Sequence, residues 1–278
     1  MAEGHTIHAL ARRFAAAFLG SRPVASSPTG ALTELAASID RREVTSVEAY
    51  GKNLLVDVDG PVLHVHLGMF GVFHVIRHRR KRRLGDAPDL PVKGAVRLRL
   101  VNTTHVGDLH APMVCELLDA AGAAALMARL GPDPLRADAD PTPFLDAVAA
   151  SDRTIAELLM DQSVLAGVGN VYRSELLFRA RLDPYTPGRL LSRDRIEGLW
   201  DDLAAIMPWG VESGRILTTA SDLDRAAASL ADAGTVPRLR PTYAVYLRAG
   251  RPCPECGAPI QSRKLAGRTL YWCPRCQA

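Results

Sequence analysis

The chain has 278 residues, 47% of them apolar, and a formal net charge of +4. That length suits one to three domains and supports a buried core. No run of about 18 apolar residues is present, which argues against a transmembrane helix, and an N-terminus carrying Glu3 and His5 does not read as a secretory signal.

In chain order, residues 5 to 19 read as a helix. Ile7, Leu10, Ala11 and Phe14 fall at i, i+3, i+4 and i+7 and form one apolar stripe. Residues 21 to 30, with Pro23, Pro28 and Gly30, read as a loop. From 43 to 110 the pattern alternates as strands do. Leu54 to Val58 stops at Asp59-Gly60, a hairpin signal, and Leu63, Val65 and Leu67 share a face opposite His64 and His66. These strands predict a β-sandwich. From about Val114 to Leu230 the composition turns to Ala and Leu with helical spacing, punctuated by Gly131-Pro132-Asp133-Pro134 and Asp183-Pro184. Short strands return over 243 to 278. The expected fold class is α+β, in three domains. These are a catalytic β-sandwich with an N-terminal helix (1–116), a helical domain (117–242) and a zinc finger (243–278).

Charge is clustered. Arg77, Arg79, Arg80, Lys81, Arg82 and Arg83 form one block, and Arg263, Lys264, Arg268 and Arg275 form another near the C-terminus. Such clusters suit a polyanion, although a charge run alone reads first as a solvated loop.

Four of the five cysteines fall in Cys253-Pro-Glu-Cys256 and Cys273-Pro-Arg-Cys276, a C-x2-C-x16-C-x2-C pattern. Each pair presents two thiolates to one tetrahedral ion, and residues 261 to 272 between them read as a hairpin. One structural Zn2+ is expected. Structural zinc binds with roughly 10–16 kcal/mol, so such a ribbon folds with its metal. The fifth, Cys115, reads as a small buried hydrophobe. Clustered thiols in an odd number point to a reducing compartment.

Residues 161 to 172 run from a helix through Gly167-Val168-Gly169-Asn170 into a second helix. The glycines permit a tight turn. Asn170 reads as the N-cap of the second helix, and the amides of that helix start read as a phosphate site. A helical hairpin with glycines for packing is the plainer alternative.

The Ala2-Glu3-Gly4-His5-Thr6 start, the Gly51-Lys52 turn, the Gly-Val-Gly-Asn turn and the four-cysteine ribbon occur in an order that resembles the Fpg/Nei family of DNA glycosylases over essentially the whole chain. The start is more similar to the Nei branch than to the Fpg branch, where Glu-Leu-Pro-Glu is usual. The resemblance implies base-excision repair of oxidised bases, pyrimidines foremost, with β,δ-lyase activity at abasic sites. It implies that the N-terminal amine, on Ala2 after methionine removal, is the nucleophile. Glu3 becomes the acid, Lys52 of the first hairpin a catalytic cation for the lesion's phosphate or for later proton transfers, Arg268 of the zinc finger a further catalytic residue, and Asn170 and Arg129 phosphate contacts. Met69 and Phe70, set between Gly68 and Gly71, are the candidate wedge for the space a flipped nucleotide leaves, with a strand-end core pair as the alternative. The family usually has proline where this chain has Ala2, so a catalytically impaired lesion-binding protein is the competing reading. A zinc-ribbon protein acting on RNA fits the whole-chain pattern less well. Damaged double-stranded DNA is the expected partner. A monomer, no membrane association and a cytoplasmic, nucleoid-associated bacterial location complete the expectation.

Overall fold

The computed structural model describes residues 2–78, 91–236 and 239–278. The chain divides into two compact units, one of Met1–Ala2 with Ile7–Ala128, the other of Glu3–Thr6 with Arg129–Ala278.

The first unit contains most of α1 (Gly4–Phe18), then β1 (Val24–Ser26), α2 (Thr33–Ile39), β2 (Ser46–Tyr50), β3 (Asn53–Asp57), β4 (Val62–His66), β5 (Val72–Arg77), β6 (Val96–Val101), β7 (His105–His110), β8 (Val114–Leu118) and α3 (Ala120–Ala128). The strands form two antiparallel four-stranded sheets, ordered β1-β6-β7-β5 and β2-β3-β4-β8. Alternation sends Leu54, Val56, Leu63 and Val65 from one sheet and Phe73, Leu98, Leu100 and Leu109 from the other into a shared core. The α1 stripe of Ile7, Leu10, Ala11 and Phe14 packs into that core. Phe14 packs tilted against Phe18 and edge-to-face against Phe73, at centroid separations of 4.8 and 5.4 Å. The sandwich with its N-terminal helix is the architecture the alternation predicts.

One expectation fails here. The composition predicts helical character from about Val114, but residues 114–118 form β8, paired antiparallel with β4. The segment alternates, so that Cys115 and Leu117 pack on the core while Glu116 points away. The edge of β4 supplies hydrogen bonds that a short helix would have to make alone. Burial pushes the Cys115 thiol up to about 12, in keeping with an inert packing residue.

The second unit holds α4 (Thr142–Ala149), α5 (Ile155–Leu158), α6 (Asn170–Arg179), α7 (Arg193–Ser213), α8 (Ala220–Ala233) and the hairpin of β9 (Gln261–Leu265) and β10 (Arg268–Trp272). Local signals set the helix ends. Thr154 and Glu157 close a capping box on α5, and Ser192 and Thr219 cap α7 and α8. Gly214 and Gly234 end those two helices in the left-handed conformation. Phe144, Val148, Leu165, Tyr172, Leu176, Leu199 and Leu203 make the core, and Leu270 of β10 inserts into it. No helix among the described residues is long and apolar enough to cross a membrane.

Candidate active site and nucleic-acid interface

Glu3 is fully buried in the second unit. Its carboxylate accepts from the backbone N–H of Gly169 at 3.0 Å and of Val171 at 2.9 Å, with the Tyr172 N–H further off at 3.4 Å. These are the amides that open α6. The residue holding the carboxylate is chosen by size: a Cβ on Gly169 would fall 2.4 Å from Glu3 Cδ. The backbone is also close at Gly4, where an added Cβ would lie 2.9 Å from Gly167 Cα and the Gly4 N–H donates to the Gly167 carbonyl at 2.8 Å. Gln162 braces the turn from within, accepting from the Gly167 N–H at 3.1 Å and donating to the Val168 carbonyl at 3.0 Å.

This arrangement corrects two expectations. The N-cap of α6 is Gly169, and Asn170 is the first helical residue. The amides expected to receive a phosphate are occupied by Glu3. A helix start attracts any anion, and the chain supplies its own. Glycine makes room for it where a side chain could not.

Asn170 is itself buried. Its amide N–H donates to the Thr269 carbonyl of β10 at 2.8 Å, and its Oδ1 accepts from Arg173. Arg173 is fully buried, and its Nε has no hydrogen-bond partner among the described residues. Burial drives the Arg173 guanidinium down to about 10 despite the opposing charge of Glu3, and Arg268 lowers it further. Arg268, at the start of β10, is half-buried, while Arg263 and Lys264 on β9 are exposed. The hairpin turns through Ala266 and Gly267, both at positive φ.

The four cysteines behind this hairpin meet the expected metal chemistry. Their sulfurs all lie within 4.8 Å of one another, with Cys253–Cys276 at 3.8 Å and Cys256–Cys273 at 3.4 Å. A tetrahedron with Zn–S bonds of about 2.3 Å has edges of about 3.8 Å. The donor set therefore fits one structural zinc, with all four positions filled by protein and none open for catalysis. Gln277 orders the second knuckle, accepting from the Cys273 N–H at 2.8 Å and donating to the Leu182 carbonyl at 3.1 Å.

In the first unit, Ala2 is half-buried against the sandwich core. Lys52 sits with Gly51 in the two-residue turn between β2 and β3. Gly51 has φ of +57°, the left-handed first position that a type II′ hairpin turn requires. His66, at the end of β4, lies close enough to Lys52 to feel its charge. Burial lowers the His66 pKa, and Lys52 and His64 lower it further. Met69 and Phe70 lie in the turn after β4 at 40% and 79% exposure, so the core-pair alternative does not hold for Phe70. Gly71 is required there, since a Cβ would meet the Leu67 carbonyl at 2.2 Å. Met113, 66% exposed, packs over Gly68. Arg129, the first residue of the second unit after α3 in sequence, is exposed. Of the first basic block, Arg79, Arg80, Lys81, Arg82 and Arg83 lie outside the described residues.

Several residues in these arrangements carried no readable signal. Glu175 is buried and accepts from the N–H groups of Ala244, Val245 and Tyr246 at 2.8–2.9 Å, tying α6 to the chain that leads into the zinc finger. A glutamate five residues after Asn170 gives no hint of this from spacing. Arg173 and Gln162 were visible only as polar residues within a motif.

Comparison with known proteins follows the same division. Residues 1–109 match the formamidopyrimidine-DNA glycosylase N-terminal domain, 130–222 the formamidopyrimidine-DNA glycosylase H2TH domain, and 250–278 the zinc finger found in FPG and IleRS. The chain is 42% identical to Endonuclease 8 1 of Mycobacterium tuberculosis over 279 residues, covering all of both chains. It is 34% identical to a formamidopyrimidine-DNA glycosylase of Thermus thermophilus over 85% of this chain and 83% of that one. The crystal structure of the MutM (Fpg) protein from Thermus thermophilus superposes with a TM-score of 0.72 at 30% identity, covering 99% of this chain and 98% of that one. Lactococcus lactis Fpg, solved with DNA containing an abasic site, shares the fold at a TM-score of 0.76 and 22% identity over 99% of each chain. The chain belongs to the Fpg/Nei family of DNA glycosylases.

Proposed function

We propose that this protein removes oxidised bases, pyrimidines foremost, from damaged duplex DNA and then cleaves the strand at the resulting abasic site. The observation that carries the reading is a fixed acid next to a small N-terminal residue. The Glu3 carboxylate is held by the Gly169 and Val171 amides, and the neighbouring residue in sequence is Ala2. Full-length similarity to an endonuclease 8 supports the pyrimidine preference.

The steps follow from the groups present. With Met1 removed, the Ala2 α-amine has a pKa near 7.7–8.0, which leaves a usable neutral fraction at about pH 7. Its lone pair attacks the sugar C1′ as the bond to the base breaks and the base leaves with the electron pair. Glu3, held beside the amine in sequence, is the acid–base group through which a proton reaches the ring oxygen as the sugar opens. Loss of the second amine proton gives an imine. Protonated, that imine draws electrons from C2′ as its proton departs, and the C3′–O bond breaks with phosphate as leaving group. A second elimination breaks the C5′–O bond and leaves a one-nucleotide gap. Proline at position 2 would form an iminium without a further proton, whereas the alanine imine must gain one. The expected consequence is slower chemistry, not its loss.

The remaining residues hold the DNA, and Lys52 also serves the later proton transfers. Lys52 and Arg268 hold phosphates beside the lesion. The Asn170 amide and the Arg129 guanidinium contact the backbone further out. Met69 and Phe70 fill the space of the flipped nucleotide. The absence of proline at position 2 favours one competing reading, a lesion-binding protein with impaired chemistry. Incubation with duplexes carrying thymine glycol or 8-oxoguanine separates the readings. Base release with strand scission, faster on thymine glycol, is expected. Tight binding without base release would establish the competitor.

A further inference from the structure

The outer face of the β2-β3-β4-β8 sheet carries a polar row within a setting that is otherwise apolar. His64 and Asn53 are 4% and 7% exposed, beside Leu55 and Val62, which pack on Ala123 of α3. The His64 Nδ1 lies 2.9 Å from Glu116 Oε1 on β8, and its Nε2 lies 3.0 Å from Asn53 Oδ1 on β3. The Asn53 Nδ2 then donates to the Tyr50 carbonyl at 3.2 Å. That last bond fixes the orientation of the Asn53 amide, with its oxygen toward the histidine. It also closes on the residue just before the Gly51-Lys52 turn. The row therefore runs from Glu116 on β8, across β4 and β3, to the turn that presents Lys52.

From this geometry we infer that His64 and Asn53 are positioning residues for Lys52. The inference rests on the phosphate-binding role given to Lys52 above. A two-residue turn fixes its backbone through the strand pairing, but its first residue is a glycine, the most permissive residue. The Asn53 side chain ties the two ends of the turn together, and His64 prevents Asn53 from rotating away. Glu116, half-exposed, orients the ring from the other side. A leucine and an aromatic ring at the two buried positions would fill the same space. Replacing both partners of a buried hydrogen bond by apolar groups of similar shape is close to neutral for stability. A fully connected polar network instead specifies one geometry. Lys52 placement is what that geometry secures here.

The test compares four proteins: wild type, Lys52→Ala, the double variant Asn53→Leu with His64→Phe, and the triple combination. Single-turnover strand cleavage is measured on a duplex with a preformed abasic site. Affinity is measured on a tetrahydrofuran abasic analogue. The double variant should keep its melting temperature while its affinity for the analogue falls and it cleaves roughly tenfold more slowly, short of the ~100-fold that a full ångström of misplacement costs. In the Lys52→Ala background the same two changes should cause no further loss, because the group they position is gone. Reductively dimethylated protein should show the Lys52 methyl resonance shifted in the double variant and the other lysine resonances unmoved. Glu116→Ala, at the exposed end, should give a smaller loss of the same kind. Wild-type cleavage by the double variant would overturn the inference, and so would an equal further loss in the Lys52→Ala background. Wild-type cleavage by Lys52→Ala itself would instead remove the role of Lys52, and the brace with it.

Discussion

The groups proposed to act are held in opposite ways by the two units. In the second unit, Glu3 is buried, and its oxygens are committed to the amides that open α6. In the first, Lys52, Met69 and Phe70 stand on tight turns between strands, half-buried or exposed. A group that moves protons needs a fixed position and a fixed hydrogen-bond environment, which buried backbone amides supply. Groups that meet a partner need a rigid base and an open tip, which a glycine-set turn supplies. Substitutions near Glu3 should therefore damage chemistry with little effect on binding. Substitutions at the turn tips should be felt only when DNA is present.

Metal removal should have the largest effect, because it removes the base on which one arm of the interface is built. Chelation, or Cys273→Ser, should unfold the ribbon and abolish DNA binding as measured by fluorescence anisotropy. Full binding by zinc-free protein would show that the hairpin does not need its metal.

Gly169→Ala comes next. The added Cβ would lie 2.4 Å from Glu3 Cδ, so the carboxylate must leave its amides. Base excision should fall by about 100-fold or more, the usual scale for losing a placed acid. Affinity for undamaged duplex should change little. Gly169→Ala in a Glu3→Ala background should add almost nothing. Independent, additive losses would show that the glycine acts otherwise than through Glu3.

Asn170→Ala should weaken damaged and undamaged duplex alike, since a phosphate contact carries no sequence information. A loss confined to damaged DNA would place Asn170 at the lesion instead. Met69→Ala with Phe70→Ala should lower lesion affinity and single-turnover excision while sparing non-specific binding; unchanged excision would end the wedge assignment.

The smallest effect concerns pH. Burial, with Lys52 and His64, holds the folded pKa of His66 below its ordinary value. Protonation therefore favours the unfolded chain. The stabilisation is present above about pH 6.5 and is lost as pH falls from there through the folded pKa. His66→Gln should flatten that part of the melting-temperature profile, and an unchanged slope would assign it to other groups.

Much of this architecture was legible in the chain because it depends on local pattern. The Ile7, Leu10, Ala11, Phe14 stripe gave α1, alternation through Leu54 and Val56 gave the sandwich, and the cysteine spacing gave the metal ribbon. What the sequence hid was pairing across distance. Val114 to Leu118 reads like the entry to a helical segment until the free edge of β4 is available to it. The turn at Gly167 to Asn170 reads like a phosphate loop because a helix start and two glycines are the right ingredients. Its actual anion is Glu3, some 166 residues earlier, and no local rule connects the two. Glu175, which gathers three amides of residues 244–246, was hidden for the same reason.

The central claim is that the Ala2 amine is the nucleophile, and borohydride trapping tests it most directly. Protein with its N-terminus verified by intact mass would be incubated with an abasic duplex and reductant. The adduct should map to the N-terminal peptide and vanish when the α-amine is blocked. No adduct, with Ala2 free and the duplex tightly bound, would contradict the account and leave a lesion-binding protein in its place.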